Sequence, residues 1–113
     1  MLINVFYNPG LEGTKLEYGY RGTPVLINLG FDAAKEFHQY EIEWQKNFLR
    51  WYVDGNVVYE RGQWNPTPIP NLPMEFNLNI WCSRSKELAS KLDKTKIPAH
   101  SEINSIKIVN YKY

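Results

Sequence analysis

Apolar and polar residues alternate along neighbouring segments near the middle of the chain. Residues 40–45 place Ile42 and Trp44 on one side and glutamates on the other, and residues 48–53 form a second strand-like run that ends at Asp54-Gly55. Successive side chains of a β-strand point to opposite faces, and Asp-Gly is a strong signal for a hairpin turn. The pattern therefore predicts half-buried strands, one of which runs into a tight turn.

Further strand-like runs recur along the chain and are separated by Gly, Pro and Asn. Asp32 can cap one helical turn over residues 33–36, and residues 85–93 predict the only longer helix, because Leu88 and Leu92 lie four residues apart. The other predicted strands cover residues 2–7, 15–20, 25–29, 56–60, 74–81 and 103–111. This order predicts an all-β sandwich or jelly roll with one short helical insertion near residues 85–93, in a single unit spanning residues 1–113.

The composition of the chain mainly excludes some classes of partner and cofactor. The chain has 113 residues with 13 basic and 12 acidic side chains, so it lacks the excess charge that binds nucleic acid or an anionic membrane. No apolar run reaches the length of a membrane span. Cys82 is the single cysteine, which excludes an intrachain disulfide and a thiolate zinc cluster. We therefore expect no nucleic-acid partner, no membrane partner and no cofactor.

The first residues already have the pattern of a strand. Residues 1–7 contain neither a basic region nor a small-residue cleavage site, so they are unlike a signal peptide. A chain that opens on a strand is expected either to be part of a longer polypeptide or to borrow neighbouring strands from a second chain.

Three short segments carry a resemblance to a known family. Residues 37–44 read Phe-His-Gln-Tyr-Glu-Ile-Glu-Trp, residues 51–55 read Trp-Tyr-Val-Asp-Gly, and residues 29–34 read Leu-Gly-Phe-Asp-Ala-Ala. They resemble the second half of glycoside hydrolase family 16 β-glucanases, the last segment resembling bacterial licheninases. The resemblance covers most of the chain and is weakest over residues 83–97. It implies a concanavalin A-like jelly-roll sandwich, of which this chain would be the C-terminal portion.

The resemblance also shows what the chain lacks. It implies a retaining endo-β-glucanase whose catalytic carboxylates lie on an earlier strand in a Glu-x-Asp-x-Glu motif, and no such motif occurs in these residues. Glu41 and Glu43 have the spacing that places two carboxylates on one strand face. The two glutamates alternate with apolar residues, so they are expected to face solvent or a polar layer. The resemblance also places them on a strand where the family has no required acids, and we therefore assign neither a catalytic role. The chain alone is expected to be inactive.

Residues 74–81 are the strongest candidate for ligand contact. Alternation places their apolar residues on one face, expected to be core, and Asn77, Asn79 and Trp81 on the other. An indole ring packs against the C–H face of a sugar, and amides exchange hydrogen bonds with its hydroxyls. From the residues alone, a polar ladder with a half-exposed tryptophan is equally consistent. The resemblance favours sugar binding, because Asn79 and Trp81 match a cleft-lining Asn-Leu-Trp segment of family 16 enzymes.

Asn4 and Phe6 form a second candidate pair. They lie two residues apart on the predicted first strand and therefore share a face. The segment resembles the Asn-x-aromatic segment that follows the catalytic strand of the family and lines the same cleft, although Phe6 could equally be core. The resemblance thus implies a substrate-binding set of Asn4, Phe6, Asn79 and Trp81.

The remaining polar candidates are expected to be structural. His38 is predicted to be packed and hydrogen-bonded and Asp54 to be a turn residue, whereas His100 is assigned no role. Cys82, next to Trp81, could lie at the cleft edge as a free thiol, but no activating cation is evident. The family often binds a structural calcium ion through an aspartate before the last strand. The equivalent residue here is Asn104, which weakens the prediction of calcium.

Three functions remain open. The leading hypothesis is a portion of a β-glucan-active hydrolase that supplies cleft-lining residues. The alternatives are a non-catalytic, lectin-like carbohydrate-binding module and a truncated or structural subunit. The expected partners are β-glucan and either a second copy or another chain that completes the sandwich, because half a jelly roll leaves strand edges and apolar faces uncovered. The resemblance implies a secreted or cell-surface location.

Overall fold

The computed structural model of the protein describes residues 1–5, 25–63, 68–80 and 90–110. The chain divides into two units, Met1–Met74 and Glu75–Tyr113. Each unit is described by itself, and the expectation of one unit over the whole chain stays a prediction. The predicted strand over residues 15–20 lies outside the described part of the chain.

Two short strands of the first unit form an antiparallel pair. β1 is Leu2–Ile3 and β2 is Val25–Leu26. Beside them, the Met1 amino group donates to the Ile27 carbonyl at 2.8 Å, and the Ile27 amide donates to the Met1 carbonyl at 2.8 Å. The predicted strands over residues 2–7 and 25–29 are confirmed at these positions, but β1 and β2 each end before the predicted strand does.

Three consecutive strands form the larger sheet of the first unit. β3 (Tyr40–Trp44), β4 (Phe48–Val53) and β5 (Asn56–Gly62) are antiparallel and lie in the order β3–β4–β5. Asp54 and Gly55 form the β4–β5 turn with φ angles of 49° and 79°. Two consecutive positive φ angles are the geometry of the Asp-Gly hairpin turn. The predicted strands of this region and their turn are therefore confirmed.

The core of the first unit lies on one face of the larger sheet. Leu49, Trp51 and Val53 of β4 are buried and alternate with half-buried residues. Leu49 and Trp51 form one buried cluster with Ile3 of β1 and with Ile69. Because side chains from both sheets enter this cluster, the two sheets share an apolar core, as the predicted all-β class requires.

A short segment after β5 closes part of this core. Ile69 is buried there, and the Trp44 indole donates to the Pro70 carbonyl at 2.7 Å. An indole N–H that is removed from water needs such an acceptor. The hydrogen bond therefore fixes this segment against the end of β3.

The apolar face of β3 is covered much less than that of β4. Ile42 lies directly opposite Trp51 in the ladder, yet Ile42 is 64% exposed and Trp51 only 7%. Tyr40 lies opposite the buried Val53 and is 49% exposed. Trp44 at the end of β3 still packs against the core, but the rest of this face is poorly covered, which leaves apolar surface on the outermost described strand of the sheet.

The described residues of the second unit, and Met74 just before it, form little regular secondary structure. Residues 74–80 and 103–110 have no strand assignment and are exposed, including Phe76 and Leu78. The prediction of strands here, with the apolar residues of 74–80 in the core, is wrong for these residues. A stable strand needs hydrogen-bonded neighbours and a covering layer as well as alternation. The described residues supply neither to these two segments.

The described helical structure of this unit is one 3₁₀ turn, Lys94–Lys96. The Thr95 amide donates to the Asp93 side chain at 3.0 Å, so Asp93 caps the turn. The predicted helix over residues 85–93 is wrong in its described part, because residues 90–93 are not helical. Its first five positions fall outside the described ranges. None of the helical structure described is long and apolar enough to cross a membrane.

Candidate carbohydrate-binding site

Asn4 directly follows β1 and is the described member of the first predicted pair. It lies half-buried between Ile3, which is in the core, and Val5, which packs against the core. The Asn4 Oδ1 atom is buried and has no hydrogen-bond partner in the described structure. A buried acceptor of this kind costs free energy until a donor such as a hydroxyl reaches it. Phe6 lies outside the described residues.

Asn79 is the described member of the second predicted pair. It lies in the second unit and is exposed, as is Asn77 two residues before it. Trp81 lies outside the described residues. The two described amides thus belong to different units, and the grouping of Asn4, Phe6, Asn79 and Trp81 into one site stays a prediction.

Glu43 is the centre of a polar network on the sheet face opposite the core. Its Oε2 accepts a hydrogen bond from the Tyr52 hydroxyl at 2.6 Å and lies 3.6 Å from Arg50 Nη1, and its Oε1 accepts one from Gln45 Nε2 at 3.2 Å. The β3–β4 register explains this gathering, because Glu43 lies opposite Arg50 and Glu41 opposite Tyr52. Polar side chains of both strands therefore collect on one face.

The network fixes the charge state of Glu43. The hydrogen bond from Tyr52, supported by Gln45 and Arg50, lowers the pKa of Glu43 despite some desolvation. A carboxyl group with a lowered pKa is ionised at neutral pH, so it cannot supply the proton that a general acid donates. Glu41 is exposed on the same strand. A retaining nucleophile is itself an ionised carboxylate, so the expectation that neither glutamate is catalytic stays a prediction.

Arg50 extends the network towards β5. It lies opposite Glu60 in the ladder, and its Nε donates to the Glu60 carboxylate. The hydrogen bond to Glu60 raises the pKa of Arg50. The guanidinium carbon lies 4.1 Å from the centre of the Phe48 ring. Sequence reasoning missed this cluster, although the register set by the Asp-Gly turn places these side chains together.

His38 and Asp54 join the β4–β5 turn to the residues before β3. His38 Nδ1 lies 2.7 Å from Asp54 Oδ2, and the Gln39 amide donates to Asp54 Oδ1 at 2.9 Å. The His38 ring stacks on Phe31 with 3.7 Å between ring centres and 16° between ring planes. The predictions that His38 is packed and hydrogen-bonded, and that Asp54 is a turn residue, are confirmed.

Replacing Asp54 with asparagine should reduce stability at neutral pH and have less effect in acid. Hydrogen bonds from the Gln39 amide and His38 lower the pKa of Asp54. Such a carboxyl group contributes stability above its unfolded pKa of about 3.9 and loses that contribution as the pH falls through the lower folded pKa. We therefore expect the difference in urea midpoint between wild type and Asp54→Asn to shrink with acidification.

Glu36→Gln is the matched control for this measurement. Glu36 is an exposed carboxylate that makes no hydrogen bond within the described ranges. Its replacement should shift the urea midpoint little at any pH. A difference for Asp54→Asn that stays constant from neutral to acidic pH would contradict the role assigned to Asp54.

Metal ligands are not grouped in the described part of the chain. No set of three His, Cys, Asp or Glu side chains there is placed to hold a metal ion. Asn104, at the position predicted from the calcium site of the family, is exposed. The expectation that the protein needs no cofactor stays a prediction.

Two antiparallel sheets around one apolar core place the first unit in the all-β sandwich class. The comparison with protein families makes the assignment specific. The chain belongs to the glycosyl hydrolases family 16, whose family model matches residues 4–99. This confirms the family resemblance and the partial jelly-roll fold.

Curated relatives agree with this assignment and are much longer than the chain. The β-glucanase of Bacillus licheniformis is 36% identical over 77 residues, which are 64% of this chain and 30% of that protein. The β-glucanase of Acetivibrio thermocellus is 40% identical over 77 residues, 64% of this chain and 22% of that protein. The xylanase/β-glucanase of Ruminococcus flavefaciens is 41% identical over 56 residues, 50% of this chain and 6% of that protein. The chain thus spans less than a third of each relative. No solved structure matches it significantly.

Proposed function

We propose that this chain is the glucan-binding portion of a family 16 β-glucanase. It holds a β-glucan through Asn4, Phe6, Asn79 and Trp81, while the catalytic carboxylates lie on polypeptide outside these residues. The observation that carries the proposal is the family match over residues 4–99 in a chain without a Glu-x-Asp-x-Glu motif. Similar stretches occur in proteins named β-glucanases, which supports a β-glucan as the ligand.

The four residues act by positioning the glucan. The amides of Asn4 and Asn79 exchange hydrogen bonds with sugar hydroxyls, and the Trp81 ring packs against a sugar face. Holding the chain of sugars in place brings the bond to be cleaved between the two carboxyl groups of the retaining mechanism. The Asn4 Oδ1 supports this role, because it has no hydrogen-bond partner in the described structure and can accept a hydrogen bond from a sugar hydroxyl.

A non-catalytic glucan-binding module is the second candidate. The sequence supports it, because these 113 residues contain no Glu-x-Asp-x-Glu motif and thus no identified pair of catalytic carboxylates. Such a module binds glucan through the same residues and hydrolyses nothing. A truncated or structural subunit, the third possibility, binds no glucan.

Binding and hydrolysis assays on the whole chain test these functions. Titration with a soluble β-glucan should give saturable binding without release of reducing sugar, and a soluble α-glucan is the matched control ligand. Addition of a separate family 16 polypeptide that carries the Glu-x-Asp-x-Glu strand should then restore hydrolysis. Binding without restored hydrolysis supports the non-catalytic module. Absence of binding to any β-glucan refutes both glucan-binding proposals.

The proposed function includes a partner that completes the sandwich. The uncovered face of β3 and the exposed apolar residues 74–80 support such a partner. It is either another chain with the remaining strands or a second copy of this chain. We propose that the assembled protein acts outside the cell or at its surface, a location that the family resemblance supports.

A further inference from the structure

The outer edge of β3 has the properties of a site for an added strand. β3 ends the β3–β4–β5 sheet, and no described strand lies beyond it. Ile42 and Tyr40 continue the apolar face of the core but remain largely uncovered. The opposite face of β3 carries Glu41 and Glu43. An open edge with uncovered apolar side chains pairs readily with another strand.

A second β3 strand is a poor occupant of this edge. Antiparallel self-pairing centred on Ile42 places Glu41 of one copy opposite Glu43 of the other. Self-pairing centred on Glu43 places two copies of that glutamate opposite each other. Like charges directly opposite destabilise a sheet, so the edge favours a strand with a basic residue between apolar ones.

Residues 103–109 have this complementary pattern. Ile106 and Ile108 flank Lys107, so the two isoleucines share one strand face and the lysine lies on the other. All three residues are exposed, and no described strand pairs with this segment. The segment therefore has the apolar alternation and the positive charge that would complement the β3 edge.

One antiparallel register matches both faces of β3. When Ile106 lies opposite Ile42, Lys107 lies opposite Glu41 and the following isoleucine lies opposite Tyr40. Cross-strand pairs of apolar residues and of opposite charges each stabilise a sheet. Glu41 is exposed and forms no ion pair within the described residues, so its carboxylate is available to a lysine of an added strand.

The carboxylate of Glu43 is less available to a new strand than that of Glu41. This difference favours the register above over the one shifted by two residues. That shift would place Lys107 opposite Glu43, whose carboxylate is already engaged by the Tyr52 hydroxyl at 2.6 Å and lies near Arg50. The gain from a further cation is smaller there than at Glu41.

We propose that the β3 edge binds residues 103–109 of a second copy of this chain, with Lys107 opposite Glu41. The inference specifies the second-copy form of the assembly in the proposed function. It does not require glucan, so dimerisation without glucan binding would refute the proposed ligand and keep this interface. Glucan binding by a protein that stays monomeric would refute this interface and keep the proposed ligand.

Charge exchange tests the interface in the full chain. Sedimentation velocity over a wide concentration range should show a reversible dimer for wild type. Lys107→Glu should weaken dimerisation about tenfold, because it replaces an attractive pair with a repulsive one. Adding Glu41→Lys to that variant should restore the wild-type dissociation constant. A wild type that stays monomeric throughout, or a double variant without rescue, overturns the proposal.

Two controls separate this contact from a general effect of charge. Lys96→Glu makes the same change at an exposed lysine of the second unit and should leave dimerisation unchanged. Glu75→Lys combined with Lys107→Glu should not rescue the dimer. Rescue by Glu75→Lys in place of Glu41→Lys would show that the lysine pairs elsewhere and would overturn the assigned site.

A cross-link distinguishes a second copy from the same chain. The triple variant Cys82→Ser, Glu41→Cys, Lys107→Cys carries cysteines only at the paired positions, and opposed residues of an antiparallel ladder are close enough to form a disulfide. Oxidation at low protein concentration should give a covalent dimer on a non-reducing gel. A cross-linked monomer would overturn the assignment to a second copy.

Discussion

Replacing Trp51 with alanine should lower the free energy of unfolding by about 3–5 kcal/mol. Trp51 is 7% exposed and packs with Ile3, Leu49 and Ile69 at the point where the two sheets meet. Its removal deletes a large buried side chain and leaves a cavity that a small core cannot refill. Domains of this kind have only about 5–15 kcal/mol of stability, so the loss is a large fraction of the total. Urea unfolding followed by far-ultraviolet circular dichroism measures it.

Phe37→Ala is the control for this substitution. Phe37 is also aromatic, but it is 65% exposed, so its removal should change stability by less than about 1 kcal/mol. Equal effects of the two substitutions would show that the cluster around Trp51 is not the centre of the fold.

Replacing Trp81 with alanine should weaken binding to β-glucan by about tenfold or more. The proposed function gives Trp81 the stacking contact with a sugar ring, and an aromatic anchor in a binding surface contributes more than its neighbours. In the assembled enzyme the same substitution should raise KM sharply and change kcat less, because the ring holds the glucan and takes no part in proton transfer. Titration calorimetry and steady-state kinetics measure the two effects.

Leu78→Ala is the matched control on the same segment. Leu78 is an exposed apolar residue of this segment and is not among the four proposed binding residues. Its replacement should leave glucan affinity within about twofold of wild type. Unchanged kinetics for Trp81→Ala in the assembled enzyme would remove Trp81 from the binding site.

The part of the fold that could be predicted from sequence is the part whose signals are local. The Asp54-Gly55 turn sets the β4–β5 pairing, and the alternation around Ile42 places the glutamates of β3 on the face away from the core. His38 and Asp54 also have the structural roles predicted for them. These features depend on neighbours in sequence and on strand periodicity, so no distant contact is needed to infer them.

The remaining features of the fold and of the candidate site depend on contacts between residues that are distant in sequence, which local patterns do not specify. Residues 74–80 alternate as a core strand does, yet they are exposed because burial needs a second layer and pairing needs an adjacent edge. The ion pair between Arg50 and Glu60 needs the register between two strands, which alternation alone leaves unassigned. The same reason limits the candidate site, because Asn4 and Asn79 lie far apart in sequence and only a complete tertiary arrangement can bring them together.

The connectivity of β3, β4 and β5 has a consequence for the order of folding. Every pairing in this sheet joins strands that are adjacent in sequence, with the longest register pair, Phe48 with Gly62, separated by 14 residues. Closing such short loops costs little entropy, and sheets with local contacts form faster than those with distant ones. The three-stranded sheet can therefore form during early folding, before any partner arrives. A completing strand would then meet a preformed template, and its rate of capture would depend on the concentration of the partner.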